Sequence, residues 1–242
     1  MDRLSDLVRL YALLDSLEDK LGGKRTLSEC SGRMSWPTRG VYFFFEAGEE
    51  RDDSGSGPRV VRVGTHALIA KSRTTLWNRL SQHRGVEKTG GGNHRGSIFR
   101  LIVGSALKCR EGLTGPHSWG TGSDIGQAAR QLGADRATLH VEEVHLEIAV
   151  SEHIRAMPFL WLAIEDPPGR ESLRGPIERN SIALLSNFQR DPLDPPSGSW
   201  LGHHSDRERV CGSSLWINNH VEARHDPCFL GILERLIEKP QA

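Results

Sequence analysis

Net charge, cysteine and long apolar runs are all scarce in this chain. Its 242 residues include 31 Lys plus Arg and 31 Asp plus Glu, so the formal net charge is zero. A polybasic, histone-like molecule is excluded, because no overall field would draw the chain onto phosphate; a local basic face stays open. The four cysteines, Cys30, Cys109, Cys211 and Cys228, lie far apart with no C-x-x-C pair. That spacing argues against a disulfide framework or a zinc ribbon and fits a reducing cytoplasm. The longest apolar run, Met157 to Ile164, is far short of the roughly 20 residues that span a bilayer. It reads as a buried strand. Met1-Asp2-Arg3-Leu4 opens acidic and periodic, where a secretory leader would be basic and then continuously apolar. With 37% hydrophobic and 26% charged residues, the chain is expected to be soluble and globular, as one large domain or two small ones.

Leu4, Leu7, Val8, Tyr11, Leu14, Leu17 and Leu21 recur at steps of three and four, predicting a bracing helix that ends at Gly22-Gly23. Gly40 to Glu46 and Arg59 to Gly64 are rich in β-formers around a polar, glycine-rich stretch, which predicts an antiparallel hairpin with a long loop. Helical patterns follow over residues 72–83, with Leu76 and Leu80 one turn apart, and over 97–108, with Ile98, Leu101, Ile102 and Ala106 inward. Residues 112–124 read as loop, with weaker helical signals over 124–132 and 141–154. The strand Phe159–Ile164 stops at Glu165-Asp166-Pro167-Pro168-Gly169. Pro176 suits the first turn of a helix carrying Glu178, Ile182, Leu184 and Leu185. Pro, Ser and Gly crowd Asp191 to Ser199, marking a boundary, and Cys228–Lys239 reads as a closing amphipathic helix.

Five polar residues stand out in this framework: Tyr42 on the first strand, Arg62 on the second, Arg79 and His83 on the next helix, and Glu178 on a later one. Arg79 and His83 are four apart and project from one side of their helix. Tyr42 and Arg62 lie on neighbouring strands, where a guanidinium can stabilise a phenolate. Arg79 has the planar fork that suits a phosphate, and Glu178 is a hard oxygen donor suited to Mg²⁺. Phosphodiester hydrolysis needs a base for water, a charge clamp, a metal and a leaving-group stabiliser. Taken singly, each residue has an ordinary structural explanation. Tyr42 can be a core aromatic, Arg62 can face solvent, Arg79 and Glu178 can pair with each other, and His83 can sit on a helix dipole. Their joint occurrence, in order, favours the chemical reading.

Gly40-Val41-Tyr42, a loop, Arg62-Val63-Gly64, helical Arg79-x-x-x-His83, and helical Glu178 followed by Asn187 together resemble the GIY-YIG nuclease superfamily. The Arg-x-x-x-His step is similar to its type II restriction-endonuclease branch. One position departs from the pattern: Arg62 stands where the second triplet begins with tyrosine, as in some restriction-type members with a basic residue there. The resemblance implies an α/β (α+β) fold, with a small antiparallel three-stranded sheet flanked by helices. It implies a core over 37–190 with an insertion at about 85–155, an N-terminal helical brace over 1–36 and a C-terminal extension over 191–242. The tail from Ser199 to Val221 resembles those of bacterial members and adds no known activity. The implied activity is Mg²⁺- or Mn²⁺-dependent hydrolysis of DNA with one ion per site, in a restriction or defence setting. Tyr42 would be the base or relay, Arg62 and Arg79 the charge clamps, Glu178 the metal ligand, and His83 a hydrogen-bond partner of Tyr42 or of the nucleophile. Asn187 completes the implied set, although nine residues beyond Glu178 is the opposite face of a continuing helix, so that either the helix ends first, or Asn180 or a purely structural asparagine is the better reading. A homodimer and a companion methyltransferase are the implied protein partners, and no membrane is involved. RNA is the alternative substrate, and a non-catalytic DNA-binding module on the same fold is the alternative function.

Local charge supports a nucleic-acid face. Lys71, Arg73, Arg79, Arg84, Lys88, Arg95 and Arg100 face only Glu87 between residues 71 and 100, so 7 − 1 = +6. Lys71, Arg73, Arg84, Lys88, His94 and Arg95 are the expected phosphate contacts. His203, His204, Cys211, His220, His225 and Cys228 fit no closed tetrahedral spacing, and Asn218-Asn219-His220 evokes a ββα-metal nuclease only superficially. The Gly90-Gly91-Gly92 run lacks the lysine and Ser/Thr of a nucleotide-binding loop, which argues against ATP.

Overall fold

Gly40 through Phe45 are buried without a break, because helices cover both faces of their strand and leave no position for an alternating polar residue. The computed structural model describes residues 2–112 and 117–241. In chain order the elements are α1 (Arg3–Leu21), β1 (Arg25–Thr26), β2 (Gly40–Glu50), β3 (Pro58–Thr65), α2 (Leu76–Arg84), α3 (Ile98–Arg110), α4 (Ile125–Leu132), α5 (Arg136–Ala156), β4 (Pro158–Ala163), α6 (Arg174–Leu185), α7 (Glu208–Ser213) and α8 (Cys228–Glu238). Short 3₁₀ turns lie at His94–Gly96 and Leu201–His204. Of the loop expected over 112–124, residues 113–116 lie outside the described residues.

The fold is mixed α/β around an antiparallel sheet of order β1-β4-β2-β3. The three expected strands are present, and the two-residue strand β1 adds a fourth beside β4. Such a short edge strand carries no periodic signal to read. Val41, Phe43 and Phe45 point to one layer, where Leu7, Leu14, Ile177, Leu184, Leu230 and Leu233 of α1, α6 and α8 form a core. Tyr42 and Phe44 point to the other, against Leu76, Leu80, Phe99, Ile102, Val150 and Ile154 of α2, α3 and α5, with Trp200 and Trp216. No helix of the described residues is long and apolar enough to cross a membrane.

Helix starts differ from the sequence expectation where a cap decides them. The helix expected from residue 72 begins at Leu76, because Thr75 and Asn78 form a reciprocal capping box. The weak signal over 141–154 proves to be a helix of 21 residues opened by the Asp135 carboxylate. Leu4 and Val8, expected inward, are exposed at 39% and 45%, and Ile98 is exposed while Phe99 fills the core. The tail packs on the edge strand: Trp216 N–H donates to the Val61 carbonyl at 2.8 Å. Its indole and that of Trp200 donate to Glu46 at 2.9 and 3.1 Å.

Candidate active site

The site begins with two glycines that have no side chain because there is no room for one. A Cβ on Gly64 would lie 2.5 Å from the Tyr42 Oη, since Tyr42 and Gly64 are paired across β2 and β3 and the phenol lies over the glycine. A Cβ on Gly40 would collide with the Leu162 carbonyl oxygen of β4. Next comes a bulge. Phe44 pairs with Arg62 but Phe45 pairs with Val60, leaving Val61 as the extra residue of β3. Bulges re-aim neighbouring side chains, and here the Arg62 guanidinium sits 4.4 Å above the Phe99 ring and donates to the Trp216 carbonyl. Its Nε has no partner among the described residues.

Tyr42 is fully buried, and its hydroxyl lies 2.8 Å from His83 Nε2. The other ring nitrogen of His83, Nδ1, lies 2.8 Å from Ser97 Oγ. Ser97 also caps α3 by accepting the Arg100 N–H at 3.3 Å, so the His83 ring is held between Ser97 and Tyr42 through its two nitrogens. Burial, then the nearby Arg79, Arg62 and Arg100 guanidinium groups, hold the His83 pKa well below its ordinary value, so the ring is neutral. Burial also lowers the pKa of Arg62, opposed by the Tyr42 oxygen and the Glu178 carboxylate.

Tyr42, Arg62, Thr65, Arg79 and Glu178, from β2, β3, α2 and α6, line one cavity of about 350 Å³. His83 touches that centre through Tyr42. Arg79 donates to Gln82 Oε1 at 3.0 Å and to the Gly96 carbonyl at 3.3 Å, and makes no bond to Glu178 among the described residues. The Glu178 Oε1 accepts the Thr65 N–H at 3.0 Å. Burial raises its pKa to about 7, against the pull of Arg62, the Thr65 N–H and Arg79. Among the described residues no three His, Cys, Asp or Glu side chains gather as a metal cluster. A lone carboxylate in a cavity with room for a phosphate and waters suits a hard cation that completes its shell with water and phosphate oxygens, as Mg²⁺ does; it does not suit zinc.

Three expected site residues lie elsewhere. Asn187 falls beyond the end of α6, accepts from Arg3 at 2.8 Å and from the Leu193 N–H at 2.9 Å, and donates to the Leu193 carbonyl at 3.0 Å. It ties α1 to the loop after α6, outside the cavity. Asn180, the alternative, bonds the Pro176 carbonyl and the Asp226 N–H. His94 is 1% exposed, bonded to Glu147 and Gly120 and stacked on Trp119, so both ring nitrogens are committed within the protein. Arg95 is spent on a buried fork with Glu143 at 2.7 and 2.8 Å. A buried charge finds a buried counter-charge first, and sequence spacing does not reveal the partner. Arg84 is partly committed, to the Cys30 carbonyl and Glu87, while Lys71, Arg73 and Lys88 are exposed.

Conversely, Asn218, Asn219 and His220 of the tail line the same cavity as Tyr42 and Glu178. The polar triplet was visible in the sequence, but nothing local to it announced the partner surface. No curated protein and no solved structure matches the chain. A model of the GIY-YIG domain family matches residues 1–242. With a Gly-Val-Tyr strand and an Arg-Val-Gly strand meeting a helical arginine and a helical glutamate in one cavity, the chain belongs to the GIY-YIG domain family, whose domain is generally a nuclease.

Proposed function

We propose that this protein is a divalent-metal-dependent endonuclease that hydrolyses phosphodiester bonds in DNA, as a restriction or defence enzyme. The observation that carries the reading is the convergence of a phenol, two guanidinium groups and a carboxylate from four separate elements on one cavity. In this reading residues 37–190 supply the catalytic core and the 191–242 extension closes it, with Asn218, Asn219 and His220 facing the substrate.

The Tyr42 oxygen takes the proton of the attacking water. As it does so the phenol passes its own proton to His83 Nε2, 2.8 Å away on a neutral ring held by Ser97, and Arg62 lies beside the pair. Arg62 and Arg79 balance the charge that builds on the phosphoryl group, where fixed cations in a partly dry cavity act without reorganising. Glu178 would hold one Mg²⁺ or Mn²⁺, which supplies Lewis-acid stabilisation at the phosphate and the leaving 3′ oxygen. The Thr65 N–H orients that carboxylate.

Deep sequencing of the ends produced from a randomised DNA library in Mg²⁺, with an EDTA control, tests the proposal. Metal-dependent ends support it. Ends from an RNA library alone move the substrate to RNA, and no ends from either favour the non-catalytic module.

A further inference from the structure

Residues 218–220 are the part of the tail that reaches the cavity of Tyr42 and Glu178. They are anchored on both sides. Ile217 and Val221, at 5% and 0% exposure, are buried in the core that α1, α6 and α8 share. The Ser186 hydroxyl donates to the Val221 carbonyl at 2.8 Å, Arg209 donates to the Asn218 carbonyl at 3.3 Å, and the His220 carbonyl accepts the Ala223 N–H at 3.1 Å. His220 itself is kept at φ 65°. A left-handed residue other than glycine is uncommon and is held there by its surroundings, and such strain concentrates at functional sites.

Between these anchors the side chains are uncommitted. Asn218 is half-buried, Asn219 and His220 are exposed, and none of the three makes a side-chain hydrogen bond to another described residue. Burial, then the charge of Arg179, holds the His220 pKa below its ordinary value, so the ring is neutral at pH 7. A neutral imidazole, like a carboxamide, offers both a donor and an acceptor. The charged groups that line the cavity are Arg62, Arg79 and Glu178, which suit a phosphate and a metal ion. A phosphate offers acceptors alone, and the two guanidinium groups already answer those. Donors paired with acceptors match the edge of a base instead, and adenine N6–H and N7 fit a carboxamide bidentately. Ile98, Ile182 and Ile217 give the same cavity an apolar side on which the face of a base can lie.

We propose that the 218–220 turn is a specificity element, in which the Asn218 and Asn219 carboxamides read the base edge of the nucleotide beside the scissile phosphate. His220 sets the turn and adds a third donor–acceptor pair. The 191–242 extension, which supplies no part of the hydrolytic set, thereby decides where that set acts. This role rests on the nuclease reading and adds to it what the substrate presents next to the cut.

The test compares the ends that wild type, Asn218→Ala and Asn219→Ala produce from a randomised DNA library in Mg²⁺, with thermal melting as the fold control. Wild-type ends are expected to be enriched in adenine within about two positions of the cut, and at least one alanine variant to flatten that enrichment. The base composition of the ends does not depend on their number, so a variant that merely cuts slowly leaves it unmoved. At the position whose alanine variant flattens the profile, replacement by aspartate, which only accepts, is expected to shift the preference towards cytosine, whose N4 amine donates. Where a variant does not cut, anisotropy in EDTA reads the same property, using the preferred oligonucleotide and one changed at the flanking base. The wild type is expected to discriminate between them about 10-fold and the alanine variant less than about 2-fold. Wild-type ends with no base preference beside the cut, or a preference and a discrimination that both alanine variants keep, overturn the specificity role and leave the nuclease standing. A wild type that yields no ends from DNA or RNA overturns both.

Discussion

The Tyr42 hydroxyl and His83 Nε2 lie 2.8 Å apart, with no exposure of either side chain. A buried phenol whose partner is a neutral imidazole, capped in turn by Ser97, is held in one orientation before substrate arrives. Tyr42→Phe removes only the oxygen and keeps the ring over Gly64. We expect kcat to fall by about 10²–10⁴-fold, the usual contribution of a positioned acid or base, while melting changes by no more than about 1–2 kcal/mol. Single-turnover cleavage and a thermal melt check the two halves.

The close approach of Gly64 to Tyr42 gives a second prediction. Gly64→Ala places a methyl group where the phenol lies, so the ring must shift or the strands part. Overpacking of this kind costs roughly 1–3 kcal/mol, and cleavage should fall further than stability does. A urea melt beside a cleavage assay distinguishes the displaced phenol from simple unfolding.

Glu178 makes both stability and activity depend on pH. Its folded pKa of about 7 lies above the ordinary 4.5, so the folded state keeps a proton that the unfolded chain has released. This group therefore makes stability fall as pH rises from about 4.5 to about 7 and then level off, by at most roughly 3–4 kcal/mol. Glu178→Gln should flatten that slope. Cleavage needs the carboxylate and should rise with a midpoint near pH 7, which moves down as Mg²⁺ concentration is raised.

Arg95 and Lys71 should separate folding from binding. Arg95→Ala leaves Glu143 buried without its counter-charge and should cost about 3–5 kcal/mol. Lys71→Ala and Arg73→Ala should leave melting unchanged and each reduce the salt slope of DNA affinity by about 1. Anisotropy titrations at several salt concentrations measure this.

Much of the fold was legible in the sequence because the patterns were strong. The leucine stripe of α1, the apolar run of β4 and the glycine-bounded strands β2 and β3 each carry their own period. Four of the expected site residues line one cavity, since the Gly-Val-Tyr and Arg-Val-Gly triplets fix two adjacent strands and the helices follow in order. What escaped was long-range. Asn187 is claimed by Arg3 from the far end of the chain, and His94 and Arg95 by Glu147 and Glu143 of α5, 53 and 48 residues away in the sequence. Asn218, Asn219 and His220 reach the cavity only because the tail docks on the bulged edge of β3. Periodicity locates elements, whereas burial partners depend on how those elements pack.

Plasmid nicking in Mg²⁺ by wild type, Tyr42→Phe and Glu178→Gln is the most direct measurement of whether one cavity performs the hydrolysis. Nicking by the wild type, its loss in both variants and DNA binding kept by all three are the outcome the convergence of these side chains requires. Nicking that survives in both variants would contradict it.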